Sequence, residues 1–388
     1  MRIWHTSDWH IGRTFHGHST LDALEEVLTA MAGEVARRGV DVVVAAGDVY
    51  DSATPSADAI ALFNRALLRL HDAGAQVVVT AGNHDSATRL GTMSDFAKAA
   101  GVHVITRPEQ ITEPVVIDDE HGPVRFYGIP FLEPARLRHL WDATPMRSQA
   151  DALGEAMRQI RADAARHDAR TVVLAHTFVA GAEGESCESE RSIVATDVAV
   201  GGVDRVPVNA FDGVDYVALG HIHGRSELAP HLRYSGAPLH LSFSEEGKPR
   251  GGWLVDLDAG GLAGAEWVDL PVPRPLTTLT GTLDELLTDA AHTDAESQWV
   301  RARLTDATRQ RDAMRRLQER FPHCAHLEWT GLTVTGGGGV DYRALTQGKS
   351  DLEVVDSFLS ITRGAGLSDD ERAIIAEVVD EARVDVTA

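Results

Sequence analysis

The stretch Val40-Asp41-Val42-Val43-Val44-Ala45-Ala46-Gly47-Asp48-Val49-Tyr50 decides the fold. Val40–Ala45 reads as a strand buried on both faces, because from Val42 to Ala46 no polar residue interrupts the apolar run. The run stops at Gly47-Asp48, a pair suited to a turn. Amphipathic helical patterns flank it: Leu21–Arg38, with Thr20 or Ser19 as N-cap, and Ala57–His71. Farther out, Arg2–His5, Gln76–Thr80, Val124–Ile129, Thr171–Ala175 and Val214–Leu219 read as further strands. Buried strands alternating with helices predict a layered α/β fold whose sheets are covered on their faces.

Gly47-Asp48 is one of five polar signatures that each follow an apolar run. The others are Asp8-Trp9-His10, Gly82-Asn83-His84-Asp85, His176 and Gly220-His221-Ile222-His223. Functional groups of α/β sheets collect beyond the carboxyl ends of strands, so these distant residues can converge on one site. Carboxylate, imidazole and amide oxygen are ligands for first-row divalent metals, and the absence of thiolate favours manganese or iron over structural zinc. Asp48 can offer one oxygen to each of two ions, which would sit about 3.5–4 Å apart, clamp a phosphate and activate a water. Each signature alone has an ordinary reading: a turn, a cap, a hydrogen-bonded core histidine. The ordered set of five is what points to chemistry.

Length and composition set limits. The 388 residues suffice for two or three domains, and 43% apolar residues suffice for a sizeable core. No apolar run reaches the roughly 18 residues of a membrane span, and Met1–His10 lacks the apolar core of a signal peptide. Cys187 and Cys324 stand far apart with no CxxC partner, which fits a reducing cytoplasm and argues against a disulfide framework or a cysteine zinc site. A net charge of −22 argues against a simple DNA-binding module and implies weak unaided affinity for DNA. Bound divalent ions and a partner that holds the DNA would offset it.

The pattern changes after about Asp256, and the stiff segment Pro271-Val272-Pro273-Arg274-Pro275 is expected to separate two domains. Beyond it, strands are expected at Thr277–Thr280, Trp299–Leu304 and His326–Val334, with a helix over Ala307–Arg320. Gly336–Gly339 reads as a hinge. In the acidic tail, Leu352, Val355, Phe358 and Leu359 share one helical face, and Ile374, Ile375, Val378 and Val379 a second.

The order Asp-x-His, Gly-Asp, Gly-Asn-His-Asp, His, Gly-His-x-His resembles the calcineurin-type metallophosphoesterase superfamily. The segments His5–Gly12, Ala46–Asp51 and Gly82–Ser86 resemble the bacterial SbcD nucleases in particular. The resemblance implies a four-layer fold of two central sheets flanked by helices, over residues 1–270. It implies a small α+β capping domain at 271–337, and a hinge and C-terminal partner-binding helices at 338–388. It implies a first metal on Asp8, His10, Asp48 and His223, and a second on Asp48, Asn83, His176 and His221. His84 would stay off the metals as proton donor to the leaving oxygen. The implied activity is manganese-dependent DNA cleavage, exonucleolytic on duplex ends and endonucleolytic on single strands or hairpins, in repair, recombination and replication. The implied assembly is a homodimer bound to two SbcC-type coiled-coil ATPases.

Arg13, Arg89 and Arg225 adjoin the motifs and are candidate phosphate contacts, each with a surface ion pair as its ordinary alternative. Asp85 is read either as orienting a ligand or as capping the next helix. His16 and His18 are candidates to line the cleft, whereas His121 and His240 have no ligand spacing. Some members of the family that the chain resembles carry a histidine soon after the Gly-Asp motif; here Asp51 occupies that neighbourhood, which leaves open the role a histidine would play there. Two other functions share these motifs: a phosphodiesterase of cyclic nucleotides or small phosphate esters, and a catalytically dead scaffold. The capping unit and tail disfavour the first, the complete ligand set the second.

Overall fold

The computed structural model describes residues 1–141, 146–180, 205–331, 346, 348–363 and 365–385. Cys187 and the Gly336–Gly339 hinge lie outside them. The chain divides into two units, Met1–Pro275 and Leu276–Ala388.

In the first unit the strands are β1 (Arg2–Thr6), β2 (Thr14–Phe15), β3 (His18–Ser19), β4 (Val42–Ala46), β5 (Gln76–Thr80), β6 (Val102–Ile105), β7 (Val115–Asp119) and β8 (Gly122–Ile129). They continue with β9 (Arg170–His176), β10 (Tyr216–Gly220), β11 (Ser226–Ala229), β12 (Leu232–Tyr234), β13 (Gly251–Asp258) and β14 (Gly261–Asp269). Two six-stranded sheets result, ordered β14-β13-β1-β4-β5-β6 and β11-β12-β10-β9-β8-β7. Strands β1, β4, β5 and β6 run parallel, as do β8, β9, β10 and β12; the outer strands β7, β11, β13 and β14 pair antiparallel.

The period-2 alternation of side chains builds the layers. Ile3, Val42, Val44 and Val78 of one sheet meet Phe126, Val172, Leu174 and Ala218 of the other. The opposite faces pack outward. Trp4, Val43 and Val79 meet Leu24, Leu28 and Met31 of α1 (Leu21–Arg38) and Leu62 and Ala66 of α2 (Ala57–Asp72). Tyr127, Val173 and Val217 meet Leu153, Met157 and Ile160 of the Gln149–Ala164 helix. Two sheets between helical layers are the expected four-layer fold. Strands buried on both faces explain why the sequence reads as unbroken apolar runs.

Several local expectations are corrected. Thr20 occupies the N-cap of α1 but its hydroxyl donates to the Arg13 carbonyl, while Ser19 accepts from the Leu21 amide. Residues Gly251–Asp269, which span the change of pattern after about Asp256, form the antiparallel β13–β14 pair that extends the first sheet past β1. Its second strand carries Gly261, Gly264 and Ala265 and so shows little apolar alternation.

The second unit has a parallel three-stranded sheet, β15 (Leu276–Gly281), β16 (Trp299–Leu304) and β17 (Cys324–Trp329). Leu283, Leu286, Leu304, Leu317 and Phe321 form its core. The helix expected from Ala307 starts at Ala313, and the strand expected at His326–Val334 runs from Cys324 to Trp329, with residues 332–334 outside the described set. Two tail helices, Asp351–Arg363 and Asp369–Asp385, close the chain. Phe358, Ile374 and Val378 are exposed on them.

Candidate metal centre

All five signatures meet at the carboxyl ends of parallel strands from both sheets. Asp8 and His10 follow β1, Asp48 follows β4, and Asn83 and His84 follow β5; His176 is the last residue of β9, and His221 and His223 follow β10. The two sheets touch here through glycine. A Cβ on Gly220 would lie 1.8 Å from the Ala46 carbonyl oxygen, and one on Gly82 would lie 2.1 Å from Asp48 Oδ1. Asp8, His10, Asp48 and His221 all hold left-handed backbone, with φ of 53°, 43°, 49° and 102°. Such conformations cost energy in non-glycine residues and cluster where a site imposes them. Gly220→Ala is therefore expected to cost about 1–3 kcal/mol in stability by overpacking, read as a lowered urea midpoint. Divalent-metal affinity should fall with it; unchanged stability would mean that the sheets can separate freely.

The donors form a continuous buried cluster. His10 Nε2 stands 3.1 Å from His223 Nε2 and 3.6 Å from Asp48 Oδ2, which is itself 3.3 Å from His176 Nε2. Asn83 Oδ1 lies 3.0 Å from His176 Nε2 and 3.1 Å from His221 Nδ1. Asp48 Oδ2 thus sits between an imidazole of each expected ligand set. Asp8 accepts from the His221 amide and lies 4.0 Å from His176 Nδ1. The grouping by proximity places Asp8, His10 and His223 together, and Asp8 with Asp48 and His176. It also places His84 with His10 and Asp48, so distance alone leaves His84 open to a ligand role.

The tautomers are set from behind. His176 Nδ1 donates to the Ala46 carbonyl and His84 Nδ1 to the Asp51 carbonyl, both at 2.9 Å, so Nε2 of each faces the centre. Buried carboxylates need positive charge nearby, and the ionisation pattern says so. Burial, with Asp48 beside it, raises Asp8 to about 6. Burial acts against charge on Asp48 too, yet His176, His10 and His84 hold its carboxyl well below the usual range. Burial opposes charge on His176, but Asp48 and Asp8 lift it to about 9. Burial and the neighbouring His176 press His221 down to about 3. Oxygen and nitrogen donors packed this closely suit a divalent cation, which binds carboxylates and neutral imidazoles.

Each candidate phosphate-contact arginine has a partner within the chain. Arg13 is tied to Asp51 at 3.0 Å, Arg89 donates to the Ala53 carbonyl at 2.9 Å, and exposed Arg225 lies over the Trp267 ring at 4.9 Å. None of them reaches into the cluster. Asp85 caps no helix, since Ser86 does that; its carboxylate accepts from the amides of Gly82, Val49 and Tyr50 and ties the second signature to the third. His16 packs on Phe15 and Phe243, and His240 contacts the Lys248 carbonyl.

Sequence reading missed the supporting residues. Ser7 donates to Asp8. The buried pair Arg250 and Glu245 backs His223: Arg250 donates to the His223 carbonyl at 2.6 Å, and Glu245 Oε1 stands 3.9 Å from His223 Nδ1. Phe131 lies against the imidazoles of His176 and His221. Glu245 and Arg250 sit in an exposed-looking polar stretch, Ser242–Arg250, with no motif to flag them.

A double-sheet fold with seven convergent oxygen and nitrogen donors defines the metal-dependent phosphoesterases, and a family model described as calcineurin-like phosphoesterase matches residues 1–225. The chain belongs to that family and is a phosphodiester hydrolase. Within the family it is of the SbcD type. A second family model, described as type 5 capsule protein repressor C-terminal domain, matches residues 272–362. Over 325 residues the chain is 26% identical to the D subunit of the nuclease SbcCD from Staphylococcus epidermidis, covering 83% of this chain and 84% of that one. Among solved structures, a Thermus thermophilus protein is 16% identical with a TM-score of 0.38, covering 69% of this chain and 98% of its own. A dimetal phosphatase from Danio rerio is 12% identical with a TM-score of 0.39, covering 70% of this chain and 99% of its own.

Proposed function

We propose that the chain is a manganese-dependent DNA nuclease, exonucleolytic on duplex ends and endonucleolytic on single strands and hairpins. It works in DNA repair, as a homodimer bound to two SbcC-type ATPases in the cytoplasm. Asp8, His10, Asp48 and His223 hold one ion, and Asp48, Asn83, His176 and His221 the other. The observation that carries this reading is Asp48 Oδ2, within 3.6 Å of His10 Nε2 and 3.3 Å of His176 Nε2 and thus between the two ligand groups. Bound there, the ions supply charge to a phosphate diester and a water nucleophile at neutral pH. The protein's own role is to hold the donors, to keep the imidazoles in one tautomer, and to present His84 Nε2 to the leaving sugar oxygen. Among the described residues no helix is long and apolar enough to cross a membrane.

The acidic chain and the engaged Arg13, Arg89 and Arg225 support a partner as the main holder of DNA. Release of nucleotides from duplex DNA in manganese, enhanced by the ATPase with ATP, tests this. Hydrolysis of cyclic nucleotides with intact duplex DNA would turn the assignment to a small-ester phosphodiesterase. The tail helices expose Phe358, Ile374 and Val378, consistent with docking on the ATPase. Deleting Asp351–Ala388 is expected to leave cleavage of bis(p-nitrophenyl) phosphate intact and to abolish co-purification with the ATPase. Loss of folding in the truncated chain would make the tail a piece of the core instead.

A further inference from the structure

Asp51 follows Gly47-Asp48 within a few residues, and neither ligand set contains it. Its contacts give it work. The carboxylate Oδ1 lies 3.2 Å from His10 Nδ1, on the side of that ring opposite the nitrogen facing His223 and Asp48. The approach is an ion-pair contact, bent away from a linear hydrogen bond. The same oxygen accepts from Arg13 Nη1 at 3.0 Å, which anchors the carboxylate. The main-chain carbonyl of Asp51 accepts from His84 Nδ1 at 2.9 Å. The rings of His10 and His84 stand edge to face with centroids 4.8 Å apart. One residue therefore holds the outer nitrogens of two neighbouring imidazoles, by side chain and by backbone.

We infer that Asp51 is a positioning residue: its carboxylate keeps the His10 proton on Nδ1 and turns Nε2 to the metal, while its carbonyl aims Nε2 of His84 at the substrate. A carboxylate behind a ligating imidazole fixes the tautomer and raises basicity, and its loss typically weakens metal binding about 10–100-fold. His176, by contrast, is backed at Nδ1 by the neutral Ala46 carbonyl. Asp51 thus strengthens the ion on His10 selectively. Arg13 anchors Asp51 in this arrangement, and its guanidinium is not offered to a phosphate.

The inference rests on the two-metal reading, and the test separates the two. Metal-free protein is titrated with manganese by calorimetry, for the parent chain, Asp51→Asn and Arg13→Gln. Folding is checked by circular dichroism, and Asp51→Glu serves if Asp51→Asn does not fold. The parent is expected to bind two ions. Asp51→Asn should weaken one of the two binding events by about tenfold or more and leave the other alone. The same weakening should raise the manganese concentration that half-saturates cleavage of bis(p-nitrophenyl) phosphate. Arg13→Gln should change affinity less than Asp51→Asn. Two parental affinities in Asp51→Asn, or equal effects of the two variants, would reduce Asp51 to a plain ion pair with Arg13. Lost kcat at unchanged affinity would place Asp51 on the substrate instead. Failure of the parent to bind two ions would overturn the metal reading itself.

Discussion

Asp48→Asn is expected to abolish hydrolysis while leaving a folded protein. Asn is the substitution that isolates the charge. Asp48 has a φ of 49°, a left-handed conformation that Asn tolerates far better than Ala. The Asn side-chain oxygen can still accept the His84 amide, as Asp48 Oδ1 does at 2.9 Å. What is lost is the negative charge facing His10 and His176 across 3.6 Å and 3.3 Å. Metals stabilise the charge of phosphoryl transfer by several kcal/mol, and each 1.4 kcal/mol is about tenfold in rate, so kcat/KM should fall by about a thousandfold or more. Calorimetry should show manganese affinity lost along with activity. A variant that binds two ions and cleaves bis(p-nitrophenyl) phosphate at the parental rate would remove Asp48 from the bridging position.

His84→Ala is expected to separate metal binding from catalysis. His84 is half-buried at the edge of the cluster, its Nδ1 engaged with the Asp51 carbonyl and its Nε2 toward the centre. A general acid contributes roughly 10²–10⁴-fold, so kcat should drop by that amount with two ions still bound. A poor leaving group exposes the role best. Cleavage of a DNA diester should suffer more than cleavage of bis(p-nitrophenyl) phosphate, whose p-nitrophenolate leaves without a proton. Loss of one bound ion instead would give weight to the proximity of His84 to His10 and Asp48 and make His84 a ligand. An equal loss on both substrates, with both ions kept, would assign His84 to charge stabilisation.

The strands that carry the site were legible because they are buried on both faces. Val42–Ala46 and, within β9, Val172–Ala175 are apolar throughout, and that pattern is a local property of the chain. β13 and β14 were not legible, since glycines and acidic residues break the apolar pattern of β13, and glycine and alanine that of β14. The candidate ligands could be named because a carboxylate or histidine at a strand end has a recognisable setting. Glu245 and Arg250 could not, because a buried ion pair looks like surface polarity until the chain is folded. The partners of the candidate phosphate-contact arginines were not legible for a related reason. Proximity in sequence to Asp8, Asn83 and His223 says nothing of the partner a flexible guanidinium finds, and here those partners are Asp51, the Ala53 carbonyl and Trp267.

By itself the sequence determined which residue types stand at which strand ends, because apolar runs and glycine turns are written in neighbouring positions. Only the tertiary structure decided which nitrogen of each imidazole faces inward, what holds its other side, and how closely the two sheets approach across Gly220 and Ala46. Those depend on backbone carbonyls and carboxylates brought together from opposite ends of the chain, and contacts of that kind have no local signature.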